Sequence, residues 1–155
     1  MEPKDAVPRV DAPRAATRTR AVVALARPCT PNAAVIRAGA DLAARHRVPL
    51  LVLGVLEPLL TDWVDGVDVS GPMLEAAHGE LFAACVETLW ERDLVWGVDV
   101  AWGRVSAAAL NLAGRVDVVR MVCGQRRADT LLRRLRRRIT GRLRTALADV
   151  DLVVV

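Results

Sequence analysis

The sequence predicts an α/β protein, a three-layer, doubly wound domain with helices on both faces of a parallel sheet. Two observations carry this. Nearly continuous apolar runs rich in β-branched residues recur along the chain, as in strands buried on both faces. Amphipathic helical patterns fill the gaps between them, so the order reads β-α-β-α-β-α-β-α-β.

Residues 1–19 lack apolar periodicity and read as a flexible tail; the domain spans 20–155. "AVVALA" (21–26) is the first strand. Thr30 and Pro31 are expected to supply the N-cap and first-turn proline of a helix over "NAAVIRAGADLAARHR". "VPLLVLGVL" (48–56) is the second strand, and "TDWVDGVDVSGP" (61–72) a loop carrying Asp62, Asp65 and Asp68, with Trp63 as its anchor. That loop is either solvated or folded over the ligand crevice, pairing with Arg126 or Arg127. Leu74, His78, Leu81, Cys85 and Leu89 share one face of the next helix, which makes His78 a core histidine.

"GVDVAW" (97–102) alternates as a half-exposed edge strand does, and Ser106 opens a short helix over "SAAALNLAG". "VDVVRMVC" (116–123) is a fourth strand holding Arg120, a charge that needs an acidic partner or a route to an edge. A fourth helix has Leu132, Leu135, Ile139, Leu143 and Leu147 on its buried stripe, and "VDLVVV" (150–155) is the last strand. Trp63, Trp90, Trp96 and Trp102 are expected to cap the corner between the second helix and the third strand. Right-handed crossovers wind these elements into one sheet.

No apolar run approaches the ~20 residues of a membrane span. The charged, proline-bearing N-terminus lacks the apolar stretch of a signal peptide, so a cytoplasmic location is expected. Cys29, Cys85 and Cys123 form no disulfide framework, and with His46 and His78 they show no metal-ligand spacing. There is no P-loop lysine and no nucleophile–base pair, so neither catalysis nor a cofactor is expected.

Charge is unevenly spread. Residues 126–144 hold nine arginines against Asp129, a local +8 in a chain of net +4, which leaves about −4 elsewhere. An anionic partner or an acidic surface within the protein would answer it. Nucleic acid is not the expected partner, because the segment lacks aromatic and base-reading side chains.

"AVVALARPCTPNAAVIRAGADLAARHRVPLLVLGVLEP" resembles the first βαβ unit of the universal stress protein family. "VCGQRRADTLLRRLRRRITGRLRTALADVDLVVV" resembles that family's last strand-loop-helix-strand, most nearly in the universal stress domain of Kdp-type potassium-sensor histidine kinases. The resemblance covers roughly 20–155 and implies a five-stranded parallel sheet in the order 3-2-1-4-5, of the adenine nucleotide alpha hydrolase-like type. Any ligand would lie at the carboxyl ends of strands 1 and 4, the topological switch point.

ATP-binding members resemble G-x2-G-x9-G-[ST] after strand 4, with an aspartate ending strand 1. Here Gly124 matches the first glycine, whereas Arg127, Arg137, Arg138 and Ala26 occupy the other positions. The ATP loop is therefore expected to be lost. Two readings follow. One is a non-catalytic regulatory and interaction domain working in stress response through an unknown protein partner, as a homodimer joined at the C-terminal edge strand. The other is a sensor whose crevice, formed by Thr30, Gly124, Gln125, Arg126, Arg127, Arg137 and Arg138, takes a phosphorylated small ligand such as a cyclic dinucleotide.

Overall fold

A computed structural model of the chain describes residues 18–28, 30–57, 63–64, 67–68, 70–125 and 151–155. In chain order it contains β1 (Arg20–Ala26), α1 (Ala33–His46), β2 (Leu50–Leu56), β3 (Trp63–Val64), β4 (Val67–Asp68), α2 (Ser70–Leu89), β5 (Trp96–Trp102), α3 (Val105–Arg115), β6 (Asp117–Cys123) and β7 (Asp151–Val154). The main sheet runs β5-β2-β1-β6-β7 with every neighbour parallel. Counted along the chain, its five strands stand in the predicted order 3-2-1-4-5.

Two apolar layers hold the sheet. Val22, Ala24 and Ala26 face α1 and α2, meeting Ile36, Ala40, Ala43, Leu81, Cys85 and Leu89. Val23 and Leu25 face the other way, against Val105, Ala109 and Leu112 of α3. Small residues set the spacing on the first side. A Cβ on Gly39 of α1 would stand 2.9 Å from Leu50 Cδ1 and 3.1 Å from Ala24 Cβ, so the helix lies close on β1 and β2. α1 ends where Arg47 takes a left-handed conformation, φ 53°, and its N–H reaches the Ala43 and Ala44 carbonyls.

Several sequence expectations change. α1 begins at Ala33, so Thr30 and Pro31 precede it, and the cap position falls to Asn32, whose side chain is committed elsewhere. His78 is exposed, and Ala77 takes the buried place in its turn of α2; the helix presents Ala77, Leu81, Cys85 and Leu89 to the sheet. The connection after β2 contains a small antiparallel hairpin, with Trp63 opposite Asp68 and Val64 opposite Val67. Its signal was the Asp65-Gly66 dipeptide between two short apolar segments.

Trp90 stands in solvent and Trp102 lies at the far end of β5 from Trp96, so the four tryptophans form no single corner. Arg120 is half-buried and its guanidinium donates to the Val119 carbonyl at 2.9 Å. The β1–β6 register skips Val119, which turns Val118 toward the α3 layer and sets Arg120 opposite Val22. β5 is an edge strand, as its alternation implied. The fourth helix and its arginines lie outside the described residues, as do Cys29 and the tail up to residue 17.

Gly54 tests the packing. Its Cβ would fall 2.3 Å from Leu81 Cδ1, so Gly54→Ala is expected to cost about 1–3 kcal/mol in urea unfolding. The double variant with Leu81→Ala should cost less than the sum of the two single changes.

Burial also pushes the Cys85 thiol from its ordinary 9.0 to about 11. The folded chain then keeps this proton when the unfolded chain has lost it. Stability from this group is complete below pH 9 and declines as the pH rises toward 11, and Cys85→Ala should flatten that decline in urea midpoints measured from pH 8 to 10.5.

Candidate functional site

From Ala21 onward β1 is buried to its last residue, Ala26, and the chain leaves the sheet at Arg27. The turn that follows is tied by one side chain. Asn32, buried to 92% (8% exposed), accepts from the Arg27 N–H at 3.0 Å and donates from Nδ2 to the Arg27 carbonyl (2.9 Å) and the Thr30 carbonyl (2.8 Å). Its carboxamide thus pairs with the N–H and the C=O of a single residue, as a residue on a neighbouring strand would, and both amide hydrogens are spent. The Asn32 carbonyl accepts from Ile36 N–H and opens α1. The Thr30 hydroxyl donates to the Arg27 carbonyl at 2.7 Å, so its single proton is already committed within the turn.

On the other side, β6 ends at Cys123, whose carbonyl accepts from Val155 N–H at 3.1 Å, and Gly124 and Gln125 follow. Between the two strand ends lies a cleft of about 280 Å³ lined by Leu25, Arg27, Thr30, Pro31, Asn32, Val35, Gly124 and Gln125. Because β1 is followed toward β2 and β6 toward β7, the connections part here. This is the switch point of the sheet.

The electrostatics favour an anion. Arg27 is exposed at the rim, no carboxylate is among the described lining residues, and the first turn of α1 has no acidic residue and no side-chain cap. The structure therefore brings together three of the predicted crevice residues, Thr30, Gly124 and Gln125. Arg126, Arg127, Arg137 and Arg138 lie outside the described residues.

Arg27 and Asn32 were not among the residues predicted. Arg27 had a signal, since it is the first residue beyond a strand that ends at the switch point. Asn32 had only its residue type, because a buried carboxamide is recognisable once its partners are known.

Gly124 is not held in a left-handed conformation, and a Cβ there would meet only the Val155 carbonyl oxygen, at 4.0 Å. Neither backbone strain nor crowding calls for glycine at this place. Ala26 supplies no hydroxyl-gripping carboxylate at the end of β1. Among the described residues, no three His, Cys, Asp or Glu side chains are grouped to hold a metal ion, and no helix is long and apolar enough to cross a membrane.

Compared by sequence, the chain matches no protein-family model and no curated protein. Compared by structure, its fold is that of universal stress proteins. A crystal structure of a universal stress protein family member from Burkholderia pseudomallei superposes with a TM-score of 0.63 over 92% of this chain and 98% of that one, at 14% identity. A universal stress protein crystallised with cAMP superposes with a TM-score of 0.50 over 90% of this chain and 98% of its own, at 16% identity.

The site yields two expectations. Asn32→Ala leaves the Arg27 N–H without its partner and the Arg27 carbonyl with the Thr30 hydroxyl alone, and should cost about 1–3 kcal/mol in chemical unfolding, with Asn32→Asp intermediate because it keeps the acceptor. Gly124→Ala should change stability by no more than about 0.5 kcal/mol, because the half-buried site has room for the added Cβ.

Proposed function

We propose that this chain is a non-catalytic domain of the universal stress type, regulatory in role, in which the ATP site of the family has been lost and activity is exerted through protein contacts as a homodimer. The observation that carries this reading is the end of β1. Ala26 is completely buried there and offers no carboxylate to a ribose hydroxyl, while across the cleft Gly124 has neither the conformation nor the crowding of a phosphate-loop glycine.

The dimer reading rests on β7. Among the described residues it pairs only with β6, and Val154 and Val155 are exposed beside its open edge. Backbone groups along such an edge pair readily with a second copy. Kinship with the universal stress domain of Kdp-type sensor kinases belongs to the same proposal and rests on the arginine-rich segment.

A second reading has its own support. Arg27 and the uncapped start of α1 face a cleft with no acidic residue in its described lining, an arrangement suited to a phosphate or phosphodiester, and a universal stress protein of similar fold was crystallised with cAMP. The two readings separate in a thermal-shift screen against ATP, AMP, cAMP and cyclic di-adenylate, with and without magnesium. A ligand at 100 times its Kd stabilises by ~2.7 kcal/mol, which is readily seen. No shift with ATP is expected; an ATP shift overturns the lost-site reading, and a shift with a cyclic nucleotide that Arg27→Ala removes establishes the sensor. In sedimentation velocity the chain should run as a dimer, and Val154→Asp should make it a monomer.

A further inference from the structure

Of the large hydrophobic side chains that stand exposed among the described residues, Met73, Phe82, Trp90 and Val95 all lie on α2 or in the turn from it to β5. The chain has one Phe, four Trp and no Tyr, and three of these five aromatic side chains, Phe82, Trp90 and Trp96, occupy this region. Phe82 is 48% exposed and Trp90 79%. The Phe82 ring meets Trp96 at 5.3 Å between centroids, tilted by 49°, and stacks on His78 at 6.4 Å.

Beside this row runs a groove of about 440 Å³ between α2 and β5, lined by Leu74, Glu75, His78, Gly79, Asp99 and Val100. Among the described residues β5 pairs only with β2, so the groove borders an open strand edge. Apolar rims of this kind mark contact surfaces, and aromatic anchors dominate such contacts.

The charge around the groove identifies the occupant. Glu75 and Asp99 are the carboxylates in the groove lining. Glu75, Glu87 and Glu91 are exposed and make no ion pair among the described residues, and one Asp99 oxygen is held by Arg115 at 3.1 Å. The groove lining itself has no lysine or arginine. An anionic lipid surface or nucleic acid would be repelled here. A guanidinium would gain twice, by pairing with Glu75 and by stacking on an aromatic face, whereas an ammonium lacks the flat face that stacks.

We propose that the α2–β5 groove with its Phe82–Trp96 rim docks an arginine-bearing, partly apolar segment of a protein partner. The site is separate from the switch-point cleft and does not depend on what that cleft binds.

The test uses the full chain and a labelled synthetic peptide carrying leucine and arginine at helical i, i+3, i+4 spacing, followed by fluorescence anisotropy, with lysine and citrulline versions as comparisons. Saturable one-to-one binding is expected. It should weaken about ten-fold with Phe82→Ala, with Glu75→Gln and with citrulline in place of arginine, and less with lysine. Both variants change exposed side chains, and circular dichroism confirms that they fold. Arg27→Ala should leave peptide binding unchanged and so separates this site from the cleft. Equal binding by Phe82→Ala and Glu75→Gln overturns the proposal. So does an oligomer of the chain alone that Phe82→Ala disperses and the peptide does not compete, which would make the occupant a second copy. Binding confined to anionic vesicles overturns it in favour of a membrane.

Discussion

The burial of β1 on both faces is the constraint from which the rest of the molecule follows. From Val22 to Ala26 the strand has almost no accessible surface, and alternate side chains belong to separate apolar layers. A strand enclosed in this way must be central, must be apolar at every position and must receive helices on both sides. Its register fixes those of β2 and β6, and they in turn place the two edges, β5 and β7. The layer under α1 is built from small residues, Ala24, Gly39, Ala40 and Ala43, so helix and sheet approach closely and the helix start is set with little freedom.

The same constraint shapes the cleft. Because β1 stays apolar to its last residue, polar chemistry at the switch point has to begin one residue later, at Arg27. The turn that carries Arg27 is held by Asn32, the one buried polar side chain among the described residues, and its hydrogen bonds satisfy the peptide groups that leaving the sheet would otherwise orphan.

Among the described residues, the ion pairs that fix geometry contribute little to holding the fold. The ion pairs Arg20–Asp117, Arg92–Asp41 and Arg115–Asp99 all lie at the surface, where such pairs contribute about 0–1 kcal/mol each. The charges therefore remain available for recognition. They are sorted along the chain: the segment running through β2 and α2 is acidic, and the segment after β6 is basic. Among the described residues, Arg27 lies at the switch-point cleft and Glu75 in the α2–β5 groove, so opposite charges mark two separate places on one small domain.

The sequence by itself determined the doubly wound class and the β-α alternation, because a strand buried on both faces can be written only in a continuous apolar run. The resemblance of "AVVALARPCTPN" and "VCGQRRADT" to universal stress proteins supplied the strand order, which periodicity does not encode. Thr30, Gly124 and Gln125 were legible as crevice residues because they follow strands 1 and 4. Tertiary structure alone decided three things. Asn32 became a staple, since only the folded turn brings the Arg27 peptide within reach of its amide. His78 turned outward, since a stripe at helical spacing leaves a width of one residue open and packing against β2 and β5 chose Ala77. Phe82 and Trp96 met across fourteen residues of chain, a contact that exists only because α2 lies along β5.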